Sequence, residues 1–326
     1  MSLPLLAGCA GEADWVMETS ATGGAGAGNT SVRLGAWRSQ MTGLPQGEVL
    51  GVAHLDGAVF VLVKGNGIFS LRDGAQGWAA ANPTLSSSSE LITALSVVGN
   101  ALFAATSDGS TGNLYRLKFA DDPWQRLSGA PSAPMTAIVK KGSAILVAAV
   151  GGLYASTDGG NTFTRRCDST KAPLFSRPVR SFAAAAASQR MFATGELSTG
   201  FGGLYASDDE GATWQKLPLE GDVEALSANG AVVLASMSQQ GELRSDNYGN
   251  TFHPVDVNGP SRAFFLAGTK GFAGSAGTVM VSDDAGLSWR DPQTRLPTSA
   301  DVGTVYLAGK TLVAVAGGTV YLNDLQ

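Results

Sequence analysis

The sequence predicts an all-β protein that is built from repeated, antiparallel, four-stranded sheets. Three observations support this fold class: a recurring octapeptide, a high content of turn-forming residues, and the lack of any convincing helical periodicity. Glycine accounts for 43 of the 326 residues, and only 15% of the residues are charged. Such a composition is typical of many short strands joined by tight turns, and it disfavours a helical or disordered chain.

The recurring octapeptide has the pattern Ser-x-Asp/Asn-x-Gly-x-Thr/Ser-aromatic. The short side chain at its third position can accept hydrogen bonds from the backbone of its own turn. Glycine at the fifth position permits a positive φ angle, and the aromatic residue at the eighth position brings a large apolar surface to bury. The pattern therefore predicts a hairpin turn that is anchored to the core. The third and eighth positions of the copies are Asp158 and Phe163, Asp209 and Trp214, Asn247 and Phe252, and Asp284 and Trp289.

These octapeptides resemble the Asp-box, or BNR repeat, of sialidase-like β-propellers. The copies follow short strands that begin with glycine, as at Gly152-Leu153-Tyr154-Ala155 and Gly203-Leu204-Tyr205-Ala206. Four copies in one chain make the resemblance specific, whereas one copy would be weak support. The resemblance implies a β-propeller in which the boxes have a structural role.

Alternating strands and turns divide the folded part of the chain, residues 33–326, into seven repeat units. The units cover residues 48–82, 91–127, 135–167, 180–217, 223–255 and 262–291, and the seventh begins at about residue 302. The first two units carry worn boxes, in which Asp73 and Trp78 remain in the first and only Trp124 remains in the second. We therefore predict a propeller with seven blades of four strands each.

The seventh unit lacks its outer strand, and the N-terminal segment supplies a candidate for it. Gly35-Ala36-Trp37-Arg38 resembles the strand that follows a box, as in Leu287-Ser288-Trp289-Arg290. The last predicted strand is Thr319-Val320-Tyr321-Leu322. Pairing of the N-terminal strand with the C-terminal blade would close the ring, leave no open edge in the ring and tie the two ends of the chain together.

Residues 1–32 are predicted to lie outside the propeller. Leu6-Ala7-Gly8-Cys9 resembles the bacterial lipobox, in which the cysteine is lipidated, although the preceding apolar run is short and no basic segment precedes it. A frayed apolar terminus is the alternative interpretation. The Gly/Ala-rich stretch 21–30 is typical of a flexible tether. The resemblance implies a lipid anchor at Cys9 and a location in the bacterial outer membrane or periplasm, or outside the cell.

Candidate binding residues are expected on one face of the ring. In a propeller, the loops between second and third strands share a face with the connections between blades, and we call this the connection face. Loops on a rigid scaffold commonly carry function, and insertions lengthen the hairpins at 107–113 and 196–202. Ordinary solvated loops are the alternative interpretation. The candidates are Asp108, Asn113, Glu196, Phe201, Lys171, Arg177 and Arg180.

The composition disfavours several functional classes. The net charge of −5 provides no basic footprint for nucleic acid. The only histidines, His54 and His253, lie in different units, so neither a Ser-His-acid set nor a zinc site is plausible. We expect no catalytic residue, no metal and no cofactor.

Glycan binding or cleavage is the alternative function, because the boxes suggest a sialidase. Sialidases also carry a Phe/Tyr-Arg-Ile-Pro motif, and the nearest segment here is Ser176-Arg177-Pro178-Val179. Paired acids for another glycoside hydrolase could still converge from Asp108, Glu196 and Glu224. Such a site would require a cleft on the connection face that is lined by acids and aromatic residues.

The seven units, the boxes and the lipobox-like start together resemble the photosystem II stability/assembly-factor family and its bacterial relatives. The resemblance implies a non-enzymatic, envelope-associated propeller that acts as a protein-binding scaffold or assembly factor. Its partner would be a protein of the cell envelope, with a glycan as a second possibility and the lipid anchor as the only membrane contact. The arginine-rich patch of photosynthetic members is matched in part by Arg165, Arg166, Arg177 and Arg180.

Overall fold

The protein folds into strands alone wherever its structure is described. The computed structural model describes residues 31–81, 91–168, 175, 179–184, 190–195, 203–219, 221–257 and 259–326. These residues contain 27 β-strands and no α-helix. The strands form seven antiparallel sheets that are arranged as blades in a ring, which confirms the predicted fold class.

The blades follow one another along the chain, and the N-terminal strand β1 is Arg38–Ser39. Blade one consists of β2 (Val49–Leu55), β3 (Ala58–Val63), β4 (Gly67–Arg72) and β5 (Ala79–Ala80). Blade two consists of β6 (Leu91–Val98), β7 (Ala101–Ser107), β8 (Gly112–Leu117) and β9 (Gln125–Arg126). Blade three consists of β10 (Met135–Lys141), β11 (Ala144–Ala149), β12 (Gly152–Ser156) and β13 (Thr164–Asp168).

The remaining blades repeat the same meander. Blade four consists of β14 (Val179–Ala184), β15 (Met191–Gly195), β16 (Gly203–Ser207) and β17 (Gln215–Lys216). Blade five consists of β18 (Val223–Asn229), β19 (Val232–Met237), β20 (Gly241–Ser245) and β21 (His253–Pro254). Blade six is β22 (Ala263–Ala267), β23 (Lys270–Ser275) and β24 (Thr278–Ser282), and blade seven is β25 (Val302–Ala308), β26 (Thr311–Ala316) and β27 (Thr319–Asp324) with β1.

The hydrophobic core lies between neighbouring blades. Each second strand packs against other sheets on both of its faces, so its side chains are apolar without alternation. All six residues of β3 and all seven of β7 are buried. One apolar cluster joins each pair of adjacent blades, and the cluster that contains Val61 and Val313 joins blade one to blade seven. Packing is therefore continuous around the ring.

The N-terminal strand closes the ring as predicted. Strand β1 pairs antiparallel with β27, with Arg38 opposite Leu322. The fully buried Asn323 side chain accepts a hydrogen bond from the Gly35 N–H and donates one to the Gly35 carbonyl, both at 2.8 Å. Trp37 is buried in the cluster between blades six and seven. Four strands of blade seven therefore come from the two ends of the described chain.

Blade six departs from the four-stranded pattern. Its outer strand is reduced to two isolated bridges, Val281 with Arg290 and Thr278 with Arg295. The backbone hydrogen bonds between Val281 and Arg290 measure 3.1 and 3.0 Å. Pro292 follows two residues later. Because proline has no N–H and a fixed φ, it cannot extend the ladder of hydrogen bonds. The sequence around Trp289 predicts the start of this strand but overestimates its length.

Candidate functional site

The four recurrent turns satisfy their own polar groups. In the turn of blade four, Ser207 Oγ donates to Asp209 Oδ1 at 2.9 Å and accepts from the Gly211 N–H at 2.8 Å. Asp209 also accepts from the N–H and the hydroxyl of Thr213, at 2.8 and 2.6 Å. Burial raises the pKa of Asp209, but these hydrogen bonds outweigh burial and hold the pKa below its ordinary value. The carboxylate is thus committed to its turn.

The fourth position of each recurrent turn also binds an arginine of the preceding blade. Three arginines donate to a backbone carbonyl, and the other pairs with a side chain. The contacts are Arg116 Nη1 to Gly159 O at 2.6 Å, Arg190 Nη1 to Tyr248 O at 3.2 Å, Arg244 Nε to Ala285 O at 3.1 Å, and Arg166 Nη2 to Glu210 Oε2 at 3.1 Å. The turns therefore act as joints between blades.

Glycine at the fifth position completes this joint. Gly249 has a φ of 74°, and a Cβ added there would lie 2.6 Å from Cε1 of Phe192 in the preceding blade. A Cβ on Gly286 would lie 3.0 Å from both Leu234 methyl groups. Since both backbone conformation and close packing require glycine, these turns contribute to stability and leave little free chemistry for a ligand.

Two of the predicted binding residues on the connection face are engaged locally. Asp108, in the hairpin between β7 and β8, accepts hydrogen bonds from the N–H groups of Thr111 and Ser110, at 2.6 and 2.8 Å. These bonds and those from the two hydroxyls lower the pKa of Asp108 well below its usual range. Asn113 Oδ1 accepts from Arg126 Nε at 2.9 Å. Asp108 therefore stabilises the hairpin between β7 and β8, whereas Asn113 joins β8 to β9.

The remaining predicted residues lie on β13 and β14 or outside the described part of the chain. Arg165 and Arg166 are exposed on β13, 3.9 Å from Asp168 and 3.1 Å from Glu210, respectively, and they do not form an isolated patch. For Arg180, only the backbone in β14 is described. Five of the predicted residues lie outside the described part of the chain: Cys9, Lys171, Arg177, Glu196 and Phe201.

A polar cleft lies on the connection face between blades five and six, and the sequence predicted only one of its residues. Its volume is about 500 Å³, within the range of small-ligand sites. Ser236, Met237 and Gln239 contribute from β19 and the hairpin that follows it. Three charged residues also line the cleft: Glu224, Glu242 and Arg262.

A β-bulge explains why Glu224 lies in this cleft. The pairing of β18 with β19 shifts between Val223 and Ala225, so Glu224 is the extra residue. A bulge redirects a side chain out of the regular alternation of a strand. Glu224 reaches the next blade, where its Oε2 lies 3.7 Å from Arg262 Nη1.

Threonine occupies the same bulge in two other blades and makes a closer contact. Thr93 Oγ1 of blade two donates to the Met135 carbonyl at 2.7 Å, and Thr136 Oγ1 of blade three accepts from the Val179 N–H at 3.2 Å. These bonds join neighbouring backbones directly. Between blades five and six, the Glu224–Arg262 ion pair takes the place of the threonine hydrogen bond, and the cleft lies beside it.

The walls of the cleft are held in place by hydrogen bonds that backbone N–H groups donate to a carbonyl and to two side chains. The Ser238 N–H donates to the Asp222 carbonyl at 2.9 Å, and Ser238 Oγ accepts from the Asp222 N–H at 3.0 Å. Glu242 Oε1 accepts from the Ser261 N–H at 2.7 Å. The hairpin after β19 and the connection to blade six are therefore fixed relative to blade five, and the cleft is preformed.

Negative charge exceeds positive charge around the cleft. Arg262 is shared between Glu224 and Asp301, with Nε 2.8 Å from Asp301 Oδ2. Glu242 has no cationic partner among the residues that the structure describes. Two glutamates thus face one cleft, whereas Asp108 belongs to blade two and is not among the lining residues.

The described residues provide neither a metal-binding cluster nor a helix that could span a membrane. No group of three or more histidine, cysteine, aspartate or glutamate side chains is placed to hold a metal ion. No helix in this part of the chain has the length and apolar character needed to cross a membrane.

The fold and the cleft between blades define a seven-bladed β-propeller with a preformed polar site on its connection face. No protein-family model matches the sequence, and no curated protein is significantly similar to it.

Solved structures match the fold over most of its length. YCF48 from Cyanidioschyzon merolae is 15% identical with a TM-score of 0.66, and the match covers 89% of this chain and 99% of that chain. YCF48 bound to D1 peptide is 13% identical with a TM-score of 0.66, over 91% and 100%. The extracellular domain of BT4673 from B. thetaiotaomicron is 11% identical with a TM-score of 0.64, over 88% of this chain and 39% of that chain.

Proposed function

We propose that this chain is a non-enzymatic, protein-binding propeller, a scaffold or assembly factor, that holds its partner on the connection face. The observation that carries the proposal is the preformed cleft between blades five and six. Fixed walls favour binding because little conformational entropy is lost when the partner docks. The recurrent turns on the opposite face are saturated by their own hydrogen bonds and by the arginines of neighbouring blades.

Two comparisons support a protein or peptide as the partner. The YCF48 structure with a D1 peptide has the same fold as this chain. The resemblance of the sequence to photosystem II stability/assembly factors favours the same class of partner. The partner that we propose is therefore a protein segment that binds at the cleft.

Site-specific photo-crosslinking tests this proposal. A photoreactive amino acid at the exposed Gln239 would lie on the cleft, and one at Leu287, which is 65% exposed, would lie on a recurrent turn of the opposite face. We expect a partner to be crosslinked from Gln239 and not from Leu287, and then to bind the purified propeller. Crosslinking from Leu287 alone would contradict the proposed face.

A glycan-processing function is the second candidate, because Glu224 and Glu242 line the same cleft. Two carboxylates that flank a bond can act as acid and base in glycoside hydrolysis. The described lining residues include no aromatic side chain, which weighs against this candidate. Hydrolysis of a glycan by the purified protein, lost in both Glu224→Gln and Glu242→Gln, would establish it.

We also propose an envelope location through lipidation of Cys9, which the lipobox-like segment Leu6-Ala7-Gly8-Cys9 supports. Lipidation adds about 0.8 kcal/mol of membrane affinity per buried methylene. Metabolic labelling with an alkyne fatty acid, followed by membrane fractionation, compares wild type with Cys9→Ala. Label and membrane association should both be lost in the variant; equal fractionation without label would contradict the anchor.

A further inference from the structure

We infer that the cleft between blades five and six receives a cationic side chain, an arginine or a lysine, from the protein partner. This inference rests on the proposed function and specifies the chemistry of its site. Three observations support it: the excess of negative charge at the cleft, the absence of a cationic partner for Glu242 among the described residues, and the apolar surface that lines the cleft.

The charge balance favours a cation. Glu224, Glu242 and Arg262 line the cleft, and the guanidinium of Arg262 is already shared by Glu224 and Asp301. The group therefore has two more negative than positive charges. A partner that adds a guanidinium or ammonium group would reduce this imbalance, whereas an acidic partner would increase it.

Glu242 is the carboxylate that the intramolecular contacts leave available. Its Oε1 accepts from the Ser261 N–H at 2.7 Å and lies 3.5 Å from Ser236 Oγ, and no cation of the described residues reaches either oxygen. The side chain is only partly buried. A carboxylate that is fixed on one oxygen and open on the other can accept a charge-assisted hydrogen bond without reorganisation.

Other acids of the connection face are paired already. Glu48 lies 2.7 Å from Lys64, and Asp291 lies 2.5 Å from Arg295. Asp108 accepts four hydrogen bonds from its own hairpin. Glu242 accepts a hydrogen bond from the Ser261 N–H, but unlike Glu48 and Asp291 it has no cationic partner among the residues that the structure describes.

The cleft also suits the stem of a long basic side chain. Pro260 is exposed at the cleft and provides apolar surface for the methylene groups of an arginine or lysine stem, and the buried Met237 lies beneath this surface. Gly241 also lines the cleft, and a Cβ added there would meet nothing within 4 Å. The volume of about 500 Å³ leaves room for the backbone on either side of the inserted residue.

A pair of peptides tests the inference directly. The probe is a fluorescent hexapeptide with one central arginine, and its counterpart carries citrulline, which has the same shape without the charge. Fluorescence anisotropy with the full chain should show at least about tenfold tighter binding of the arginine peptide, as expected for one charge-assisted contact. Glu242→Gln should remove this preference, whereas Glu48→Gln, on the same face in blade one, should retain it.

A second variant should increase the affinity for the arginine peptide, whereas Glu242→Gln should decrease it. Arg262→Gln removes the competing guanidinium and frees Glu224, so it should tighten binding of the arginine peptide by about threefold or more. Loss of folding cannot produce such a gain.

Equal affinity for the two peptides, or an unchanged preference in Glu242→Gln, would overturn the inference. Unchanged or weaker binding by Arg262→Gln would also count against it. The proposed function would survive those results if the partner were still crosslinked from Gln239, so the two failures are distinguishable.

Discussion

Single residues in the recurrent turns show how one side chain can organise a whole hairpin. Asp209 accepts from Ser207 Oγ and from both donors of Thr213, and the equivalent Asn247 has the same contacts with a neutral amide. In blade five the amide Nδ2 donates to Thr251 Oγ1 at 2.8 Å, where the carboxylate would accept. The turn therefore tolerates either charge state of this position.

This tolerance leads to a prediction about pH. The pKa of Asp209 is lowered in the folded state, so below the ordinary carboxyl pKa of about 4 the unfolded chain binds more protons than the native one. The stabilising contribution is fully present above that pH and is lost as the pH falls further. Asp209→Asn should keep its stability at neutral pH and lose less stability than wild type between about pH 5 and about pH 2.

Urea unfolding of both proteins across this range measures the effect. Asp209→Ala provides the comparison, because it removes the hydrogen bonds as well as the charge and should be less stable than Asp209→Asn at neutral pH. Parallel pH profiles for wild type and Asp209→Asn would show that the carboxylate contributes no acid sensitivity.

Residue types alone did not predict which polar groups remain available. Asp108 stands in an inserted hairpin and suggested a binding residue, but Ser110 and Thr111 occupy its carboxylate. An aspartate with hydroxyl residues two and three positions later often forms this local turn. The sequence therefore contained the signal for a structural role. Glu242 gave no local signal, because its neighbours in the cleft come from distant parts of the chain.

At the scale of elements, each recurrent turn holds two blades together. Its glycine packs against the core of the preceding blade, and an arginine of that blade binds its fourth residue. This arrangement explains why the pattern recurs with both a positive-φ glycine and an aromatic residue. The motif predicted the hairpins correctly, but the contacts with the preceding blade could be found only in the structure.

The packing of this glycine can be tested with a matched pair of variants. Gly249→Ala should destabilise the fold by about 1–3 kcal/mol more than Gly230→Ala, because overpacking of a filled core costs about that much. Both residues have positive φ, at 74° and 57°, but a Cβ at Gly230 meets nothing within 4 Å. The difference between the two free energies of unfolding thus isolates the contact with Phe192.

Equal destabilisation by the two alanines would assign the whole cost to the backbone conformation. Circular dichroism should show that both variants keep their strand content before their stabilities are compared.

Periodicity predicted the strands well but not the cleft. The unit that begins at Val223 was recognised from its apolar alternation, and the structure has a strand from Val223 to Asn229. The bulge at Glu224 depends on pairing with β19, and the pairing of Glu224 with Arg262 depends on the separation of two blades. Neither the bulge nor this ion pair is encoded in a local sequence pattern. The sequence could therefore suggest Glu224 as a candidate acid, but not the residues that surround it.

At the scale of the whole molecule, ring closure joins residues that are almost 300 positions apart. The Asn323 side chain contacts Gly35 across a separation of 288 residues, and Arg38 Nη1 lies 2.5 Å from Asp324 Oδ2. The N-terminal strand is predictable because Trp37 corresponds to the aromatic residue at the eighth position of a box, as Trp289 does. Closure therefore depends on a small number of identifiable contacts.

Truncation tests their importance. A chain that starts at Met41 lacks β1 and Trp37 and leaves the edge of β27 unpaired, so it should unfold at lower urea concentration and show faster amide exchange in blade seven. A chain that starts at Ser31 keeps these contacts and is the control. Identical midpoints and exchange rates for the two truncated chains would contradict a stabilising role for closure.

Closure also imposes an order on biosynthesis. The ribosome makes β1 before every other strand described here and makes its partner β27 last. Translation of nearly the whole chain therefore separates the two, and during that interval the early segment has no native neighbour. A nascent propeller of this design is an incomplete ring with two exposed edges until β27 has been made, and a chaperone that shields the emerging β1 segment would raise the yield of closed molecules.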